Sequence, residues 1–242
     1  MNIAIIGTGN VGGALATNWS KKGHSINLGV QDESNFKGQE LLKNENITVY
    51  SIKDAVAKSD VILIATPPTA IFEIIVQMED VSEKIIIDAT NAIAKTPEPY
   101  KTVYHALQDK TKAEIVKCFN TTGFENMLNP IYDGIAIDMF MAGDSEKAKS
   151  VAKQLALDCG FGTCFDFGKS DKVELLEKFA LSWINLAIMQ GQGRNIAFKV
   201  LDPSGQVHLA IGKKNYLSVD FVCTTCRDGG LQFPGRSSDM DF

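Results

Sequence analysis

Six residues near the amino terminus, Gly7-Thr8-Gly9-Asn10-Val11-Gly12, match the pattern G-x-G-x-x-G. The chemistry served by this spacing is the binding of a pyrophosphate by main-chain groups. Gly7 permits the tight turn, Gly9 leaves the backbone open to the phosphate oxygens, and Gly12 lets a helix pack close to a strand. The free N–H groups and positive dipole end of that helix then face the phosphate charge. A glycine-rich turn without a ligand would carry the same letters. The surroundings decide between the two: a β-branched strand, Asn2–Ile6, leads into the motif, and a helix, Val11–Lys22, leaves it with Gly23 as its stop. The motif therefore predicts a dinucleotide site.

Which dinucleotide depends on the end of the next strand, Ser25–Val30. An acid there accepts from the ribose 2′-OH of NAD, whereas a nearby Arg suits the 2′-phosphate of NADP. Here the acid position falls at Val30 and the Arg position at Gln31. The missing acid removes repulsion against a 2′-phosphate. Gln31 can donate to either group, Lys37 adds positive charge if its loop folds back, and Asp32 acts in the opposite sense. The expected cofactor is NADP, with NAD left open.

Other groupings carry less. Gly168-Lys169-Ser170 suggests a P-loop, but five residues lie between the upstream glycine, Gly162, and Gly168 where the motif has four. Cys223-Thr-Thr-Cys226 is one C-x-x-C with only His208 nearby, whereas a structural zinc site needs a second pair of ligands. Cys118 reads as a core residue. His24 and His105 have no nucleophile beside them in a recognisable pattern. No metal site is expected.

Strands and helices alternate along most of the chain. Short strands are expected at Ile47–Tyr50, Asp60–Ala65, Lys84–Asp88, Ala113–Cys118, Gly134–Met141 and Gly162–Phe167. Helices are expected at Phe36–Asn44, from Ser51 to about Lys58, at Asp144–Cys159 and at Asp171–Gly191. DVILIA and KIIID are almost continuously apolar, the mark of a parallel sheet buried on both faces. Ser51-x-x-Asp54 resembles a capping box. The fold class is therefore α/β, a Rossmann-type doubly wound, mostly parallel sheet. It divides into a dinucleotide-binding part at 1–168, a C-terminal helical part at 169–201 for packing or dimerisation, and an extension of uncertain order at 202–242. In the long helix, Val173, Leu176, Ala180, Trp183 and Ala187 share one face, widened by Phe179, Ile184 and Leu186. Such a stripe calls for burial against the sheet or a second copy, so a homodimer is expected.

Composition narrows the partners. The 242 residues are 45% apolar and 22% charged with net charge −5, which excludes disorder throughout and argues against nucleic acid as a partner. No apolar run approaches the length of a membrane span, and the first residues lack the basic start of a signal peptide. Five cysteines, an odd number, fit reduced thiols and a cytoplasmic setting.

Beyond the glycine motif, the order of several stretches resembles the NADPH-dependent deazaflavin-coenzyme (F-420) reductase family and its dinucleotide-binding relatives. IAIIGTGNVGGALA, GHSINLGVQD, DVILIATPP, DATNAI, KCFNTTGFENMLNP, MAGDSEKAKSVAKQL, GFGTCFDFG and RNIAFKVL carry the likeness over residues 1–201. The chain departs from the family at Gln31, where Arg is usual, and at Ala92, where Pro is usual. The resemblance implies hydride transfer between a nicotinamide and a flat acceptor: a deazaflavin, a flavin, a quinone or a chelated ferric ion. Such chemistry needs proximity and ring alignment more than a strong acid or base. The slot would be lined by Ala65, Thr66 and Pro67, by Ala89, Thr90 and Asn91, and on the acceptor side by Asn120, Thr121 and Thr122, all at carboxyl ends of expected parallel strands. Thr and Asn at strand ends also serve as caps and turns. A non-catalytic NADP sensor is the alternative class. A dehydrogenase of small imines or hydroxy acids is a third, but that chemistry wants a Lys or His acid, and the sequence places none.

Overall fold

Runs of branched aliphatic residues form the strands because both faces of the sheet are covered. The computed structural model describes residues 1–201. The Cys223/Cys226 pair, His208 and the 202–242 extension lie outside the described residues.

The chain opens with β1 (Asn2–Ile6), α1 (Asn10–Lys21), β2 (Ser25–Val30), β3 (Ile47–Ser51), α2 (Ile52–Ala57) and β4 (Val61–Ile64). It continues through α3 (Ile71–Met78), β5 (Ile85–Asp88), α4 (Val103–Lys110) and β6 (Glu114–Cys118). A short helix, α5 (Phe124–Leu128), precedes a two-stranded hairpin of β7 (Ile131–Tyr132) and β8 (Ile135–Ala136). Then follow β9 (Met139–Ala142), α6 (Glu146–Cys159), β10 (Cys164–Asp166) and α7 (Val173–Ile184).

Eight strands form one sheet in the order β10-β9-β6-β5-β4-β1-β2-β3. β1 to β6 are parallel, β9 runs antiparallel to β6, and β10 is parallel to β9. The chain builds outward from β1 to β3, then returns to place β4 on the other side of β1. That reversal opens a crevice at the carboxyl ends of β1 and β4, where ligands of such sheets bind.

Alternate residues of each strand enter opposite cores. Ile3, Ile5, Val61, Leu63, Ile85 and Ile87 meet α1 and α6. Ala4, Ile6, Ile62, Ile64 and Ile86 meet α2, α3, α4 and α7. Val173 and Leu176 of α7 lie in this second core, and Met1–Val200 form one compact unit. The capping box is present: Ser51 Oγ accepts from Asp54 N at 3.1 Å and donates to Asp54 Oδ2 at 2.8 Å.

Three expected elements differ. Phe36–Asn44 holds only a 3₁₀ turn, Gln39–Lys43, entered through Gly38 at φ +98°. Its polar sequence offers no apolar stripe to bury along a full helix. Gly134–Met141 is broken, because Asp133 and Gly134 adopt positive φ and turn the chain into the β7–β8 hairpin before β9 begins. Asp171–Gly191 is a 3₁₀ turn at Ser170–Lys172, then α7, then a π-helical turn at Asn185–Met189. Its apolar face is as expected: Val173, Leu176, Ala180, Trp183 and Ala187 are all buried. The helices α3 and α4 have no counterpart among the expected elements.

Candidate functional site

The glycine loop joins β1 to α1 at the crevice. Gly7 has φ +101°, and a Cβ there would lie 2.5 Å from Ala65 O and 2.9 Å from Thr66 Cγ2. The first glycine is thus required both by its backbone angle and by the close approach of the loop after β4. At Gly12 a Cβ would lie 1.9 Å from Gly7 O, so the helix reaches the strand only because no side chain intervenes. At Gly9 a Cβ would meet no protein atom within 4 Å. Fold packing does not demand glycine at that position, which leaves the backbone open there. Gly9 is the N-cap of α1 without a side-chain cap, and no acidic residue stands in the first turn. The N–H groups of Asn10, Val11 and Gly12 therefore keep their capacity for an anion.

The segment after β2 folds back over this loop. Thr8, nearly buried, donates through Oγ1 to Lys37 O. Lys37 Nζ lies 3.4 Å from Asn10 Oδ1, bringing a positive charge to the start of α1. Val30 is buried and Gln31 is exposed, with Nε2 3.4 Å from Glu73 Oε1. Asp32 turns into its own loop, where its Oδ1 accepts from Ser34 Oγ at 2.6 Å and Ser34 N at 2.9 Å. Those bonds hold its carboxyl below the ordinary carboxylate value.

On the opposite side, three loops meet at the carboxyl ends of β4, β5 and β6. Ala65 and Thr66 are half-buried and Pro67 is exposed. Asn91 is exposed, and its Oδ1 accepts from Asn120 Nδ2 at 3.3 Å. Two buried oxygens here, Thr66 Oγ1 and Asn120 Oδ1, have no hydrogen-bond partner. Buried polar atoms are nearly always paired, so these two leave open hydrogen-bonding capacity at the strand ends. Thr121 and Thr122 point inward: Thr121 Oγ1 lies 3.7 Å from Met139 Sδ, and Thr122 Oγ1 accepts from Asn126 at 2.7 Å. Asn120 is brought to the slot, whereas these two brace the loop behind it. An open recess of about 510 Å³, lined by Thr69, Phe72, Ala94, Lys95 and Pro97, flanks the loops after β4 and β5.

Under the β5 loop lies a buried ionic group absent from the expected site. Lys117 Nζ sits 3.0 Å from Asp88 Oδ2, 2.7 Å from Glu177 Oε1 and 2.5 Å from Thr90 O. The contact to Glu177 is short but off the hydrogen-bond direction, so it is ionic, and Oε1 has no hydrogen-bond donor. Burial opposes the charge on Lys117, yet Asp88 and Glu177 together hold its ammonium above the usual lysine value. Burial pushes the Glu177 carboxyl up, against the pull of Lys117. A signal existed in the sequence. Lys117 interrupts an apolar strand, and Glu177 falls on the buried face of α7 between Val173 and Ala180.

This combination of doubly wound sheet, glycine cradle and small-residue slot defines a nicotinamide-dinucleotide-binding protein. Residues 2–92 match the model of the family described as NADP oxidoreductase, coenzyme F420-dependent. A glycerol-3-phosphate dehydrogenase (NAD(P)+) of Thermoanaerobacter sp. (strain X514) is 28% identical over 100 residues, covering 36% of this chain and 30% of that protein. The chain therefore matches less than a third of that curated relative's length. A candidate F420-dependent NADP-reductase from Arthrobacter sp. FB24 superposes with a TM-score of 0.75 at 22% identity, over 84% of this chain and all of that one. A reductive aminase from Aspergillus terreus, in complex with NADPH and ethyl levulinate, gives a TM-score of 0.59 at 19% identity over 78% and 62% of the two chains. The structural likenesses establish the Rossmann-type fold. No described helix is long and apolar enough to cross a membrane.

Proposed function

We propose that the protein is an NADP(H)-dependent oxidoreductase that passes a hydride between the nicotinamide and a flat redox acceptor of the deazaflavin, flavin, quinone or chelated-ferric class. The carrying observation is the pair of buried, unpartnered oxygens, Thr66 Oγ1 and Asn120 Oδ1, in the loops that follow β4 and β6 on the glycine-loop side of the sheet. Gly7, Thr8, Gly9, Asn10, Val11 and Gly12 hold the pyrophosphate through main-chain N–H groups. Gln31 and Lys37 read the 2′-phosphate, Lys37 supplying the charge that an Arg at position 31 would otherwise bring. Ala65, Thr66 and Pro67 with Asn91 border the nicotinamide, which supplies two-electron hydride chemistry when bound. Asn120 faces the acceptor, with Thr121 and Thr122 setting its backbone. Phe72 and Pro97 give the flanking recess its apolar lining, and Lys95 and Glu98 add one charge of each sign to it.

Lys117 is not a proton donor to substrate in this reading, because it is sealed from solvent and fully engaged. Lys117 therefore does not supply the accessible acid that imine or hydroxy-acid chemistry needs. Thr66→Trp separates the enzyme from a mere NADP sensor. In the enzyme, the variant should abolish NADPH oxidation while 2′,5′-ADP binds within about twofold of wild type. Full activity in the folded variant would remove the slot from the account.

The exposed side of α7 and the turn after it carries Leu175, Leu181, Leu186, Ile188 and Met189, an apolar surface that fits pairing with a second copy. Sedimentation should then give twice the 26.3 kDa of the chain, and Leu186→Lys should return it to one copy. A wild-type protein sedimenting as a single chain at micromolar concentration contradicts the pairing.

A further inference from the structure

Three ionisable side chains meet between the sheet and α7. The parallel register of β5 and β6 sets Asp88 directly beside Lys117, and α7 lowers Glu177 onto both. Lys117 and Asp88 are fully buried and Glu177 nearly so. Stability alone does not account for them, since well-packed apolar residues commonly serve a core as well or better than a buried ion group. Their polar atoms end instead on one loop. Asp88 Oδ1 accepts from Thr90 N at 2.9 Å and Thr90 Oγ1 at 2.7 Å. Lys117 donates to Thr90 O, and Glu177 Oε2 accepts from Ala92 N at 3.2 Å. The backbone is thus held on both sides of Asn91, which alone of Thr90, Asn91 and Ala92 is exposed and which reaches Asn120.

We propose that Asp88, Lys117 and Glu177 are positioning residues that clamp the Ala89–Ala92 loop from beneath and so present Asn91 to the nicotinamide half of the dinucleotide. The N–H of Ala92 supplies the contact to Glu177. The proposal rests on the dinucleotide reading above.

The test uses the full chain with Glu177→Leu, which loses the acceptor for Ala92, and Glu177→Gln, which keeps it. Amide hydrogen exchange over residues 89–94 should speed up about tenfold or more in the Leu variant, with the central strands unchanged. NADPH affinity should fall about tenfold while 2′,5′-ADP, which lacks the nicotinamide half, binds within about twofold. The Gln variant should restore both. If the Leu variant does not fold, Thr90→Val removes one clamp bond without touching a charge and should shift the same two readouts in the same direction by less. A folded variant whose loop exchange is unchanged overturns the clamp. So does a loosened loop with equal losses for NADPH and 2′,5′-ADP. Wild-type protein that binds neither ligand refutes the dinucleotide reading and, with it, the role of Asn91, and the exchange measurement still decides whether the three residues hold the loop.

Discussion

Gly12→Ala is expected to cost about 3 kcal/mol of stability and at least about a hundredfold in NADPH affinity. Gly9→Ala, three residues earlier, should leave stability within about 0.5 kcal/mol and still weaken NADPH tenfold or more. The contrast follows from what each added methyl meets. At Gly12 it lies 1.9 Å from Gly7 O, a backbone atom that cannot step aside, so α1 must move off β1 and carry its N–H groups away from the phosphate position. At Gly9 the methyl meets no protein atom within 4 Å and occupies only the path by which a phosphate would approach. Thermal melts with NADPH titrations check both. A Gly9→Ala variant that binds NADPH like wild type would show that the loop is not the pyrophosphate cradle.

Lys117→Met should be the most damaging change in the core, about 3–5 kcal/mol at neutral pH, because it strands two buried carboxyls without their ammonium. In a chain of this size that lowers the melting temperature by about 10 °C. The pH dependence has a definite sign. Burial holds the Glu177 carboxyl above its ordinary value of 4.5. Its favourable contribution is therefore complete below that pH and is lost as pH rises through the folded-state value. Without Lys117 that value climbs further, so the deficit of the Met variant should shrink on acidification toward pH 5. For the same reason the stability of wild type relative to Glu177→Gln should fall as pH increases above 4.5. Parallel denaturation curves at several pH values check both statements. A Met variant as stable as wild type at pH 7 would contradict the ionic account of the triad.

The parts legible in the sequence are those written locally. The glycine loop, the apolar strands DVILIA and KIIID, the Ser51 cap and the buried face of α7 each need only neighbouring residues, and each is present. What the sequence hides depends on tertiary partners. α3 is apolar enough in IFEIIVQM to pass for a strand until Ile71, Ile74 and Met78 are seen packed at helical spacing. The reversed direction of β9 is set by the β7–β8 hairpin, whose turn residues Asp133 and Gly134 sit within a stretch that reads as one strand. On the site, the meeting of Asn91 and Asn120 at neighbouring strand ends is readable from the sequence. Lys37 reaches the start of α1 because Thr8 captures its carbonyl, a contact no spacing rule contains. The inward turn of Thr121 and Thr122 likewise follows from Met139 and Asn126, not from their own positions.

The most direct measurement is a fluorescence titration of the protein with NADPH and with NADH, repeated on Lys37→Ala. The account predicts that NADPH binds tighter than NADH by about tenfold, or ~1.4 kcal/mol, and that Lys37→Ala removes most of that margin without changing NADH. Equal affinity for the two nucleotides would withdraw the NADP assignment and leave the fold. Failure of both to bind at millimolar concentration would contradict the oxidoreductase reading outright.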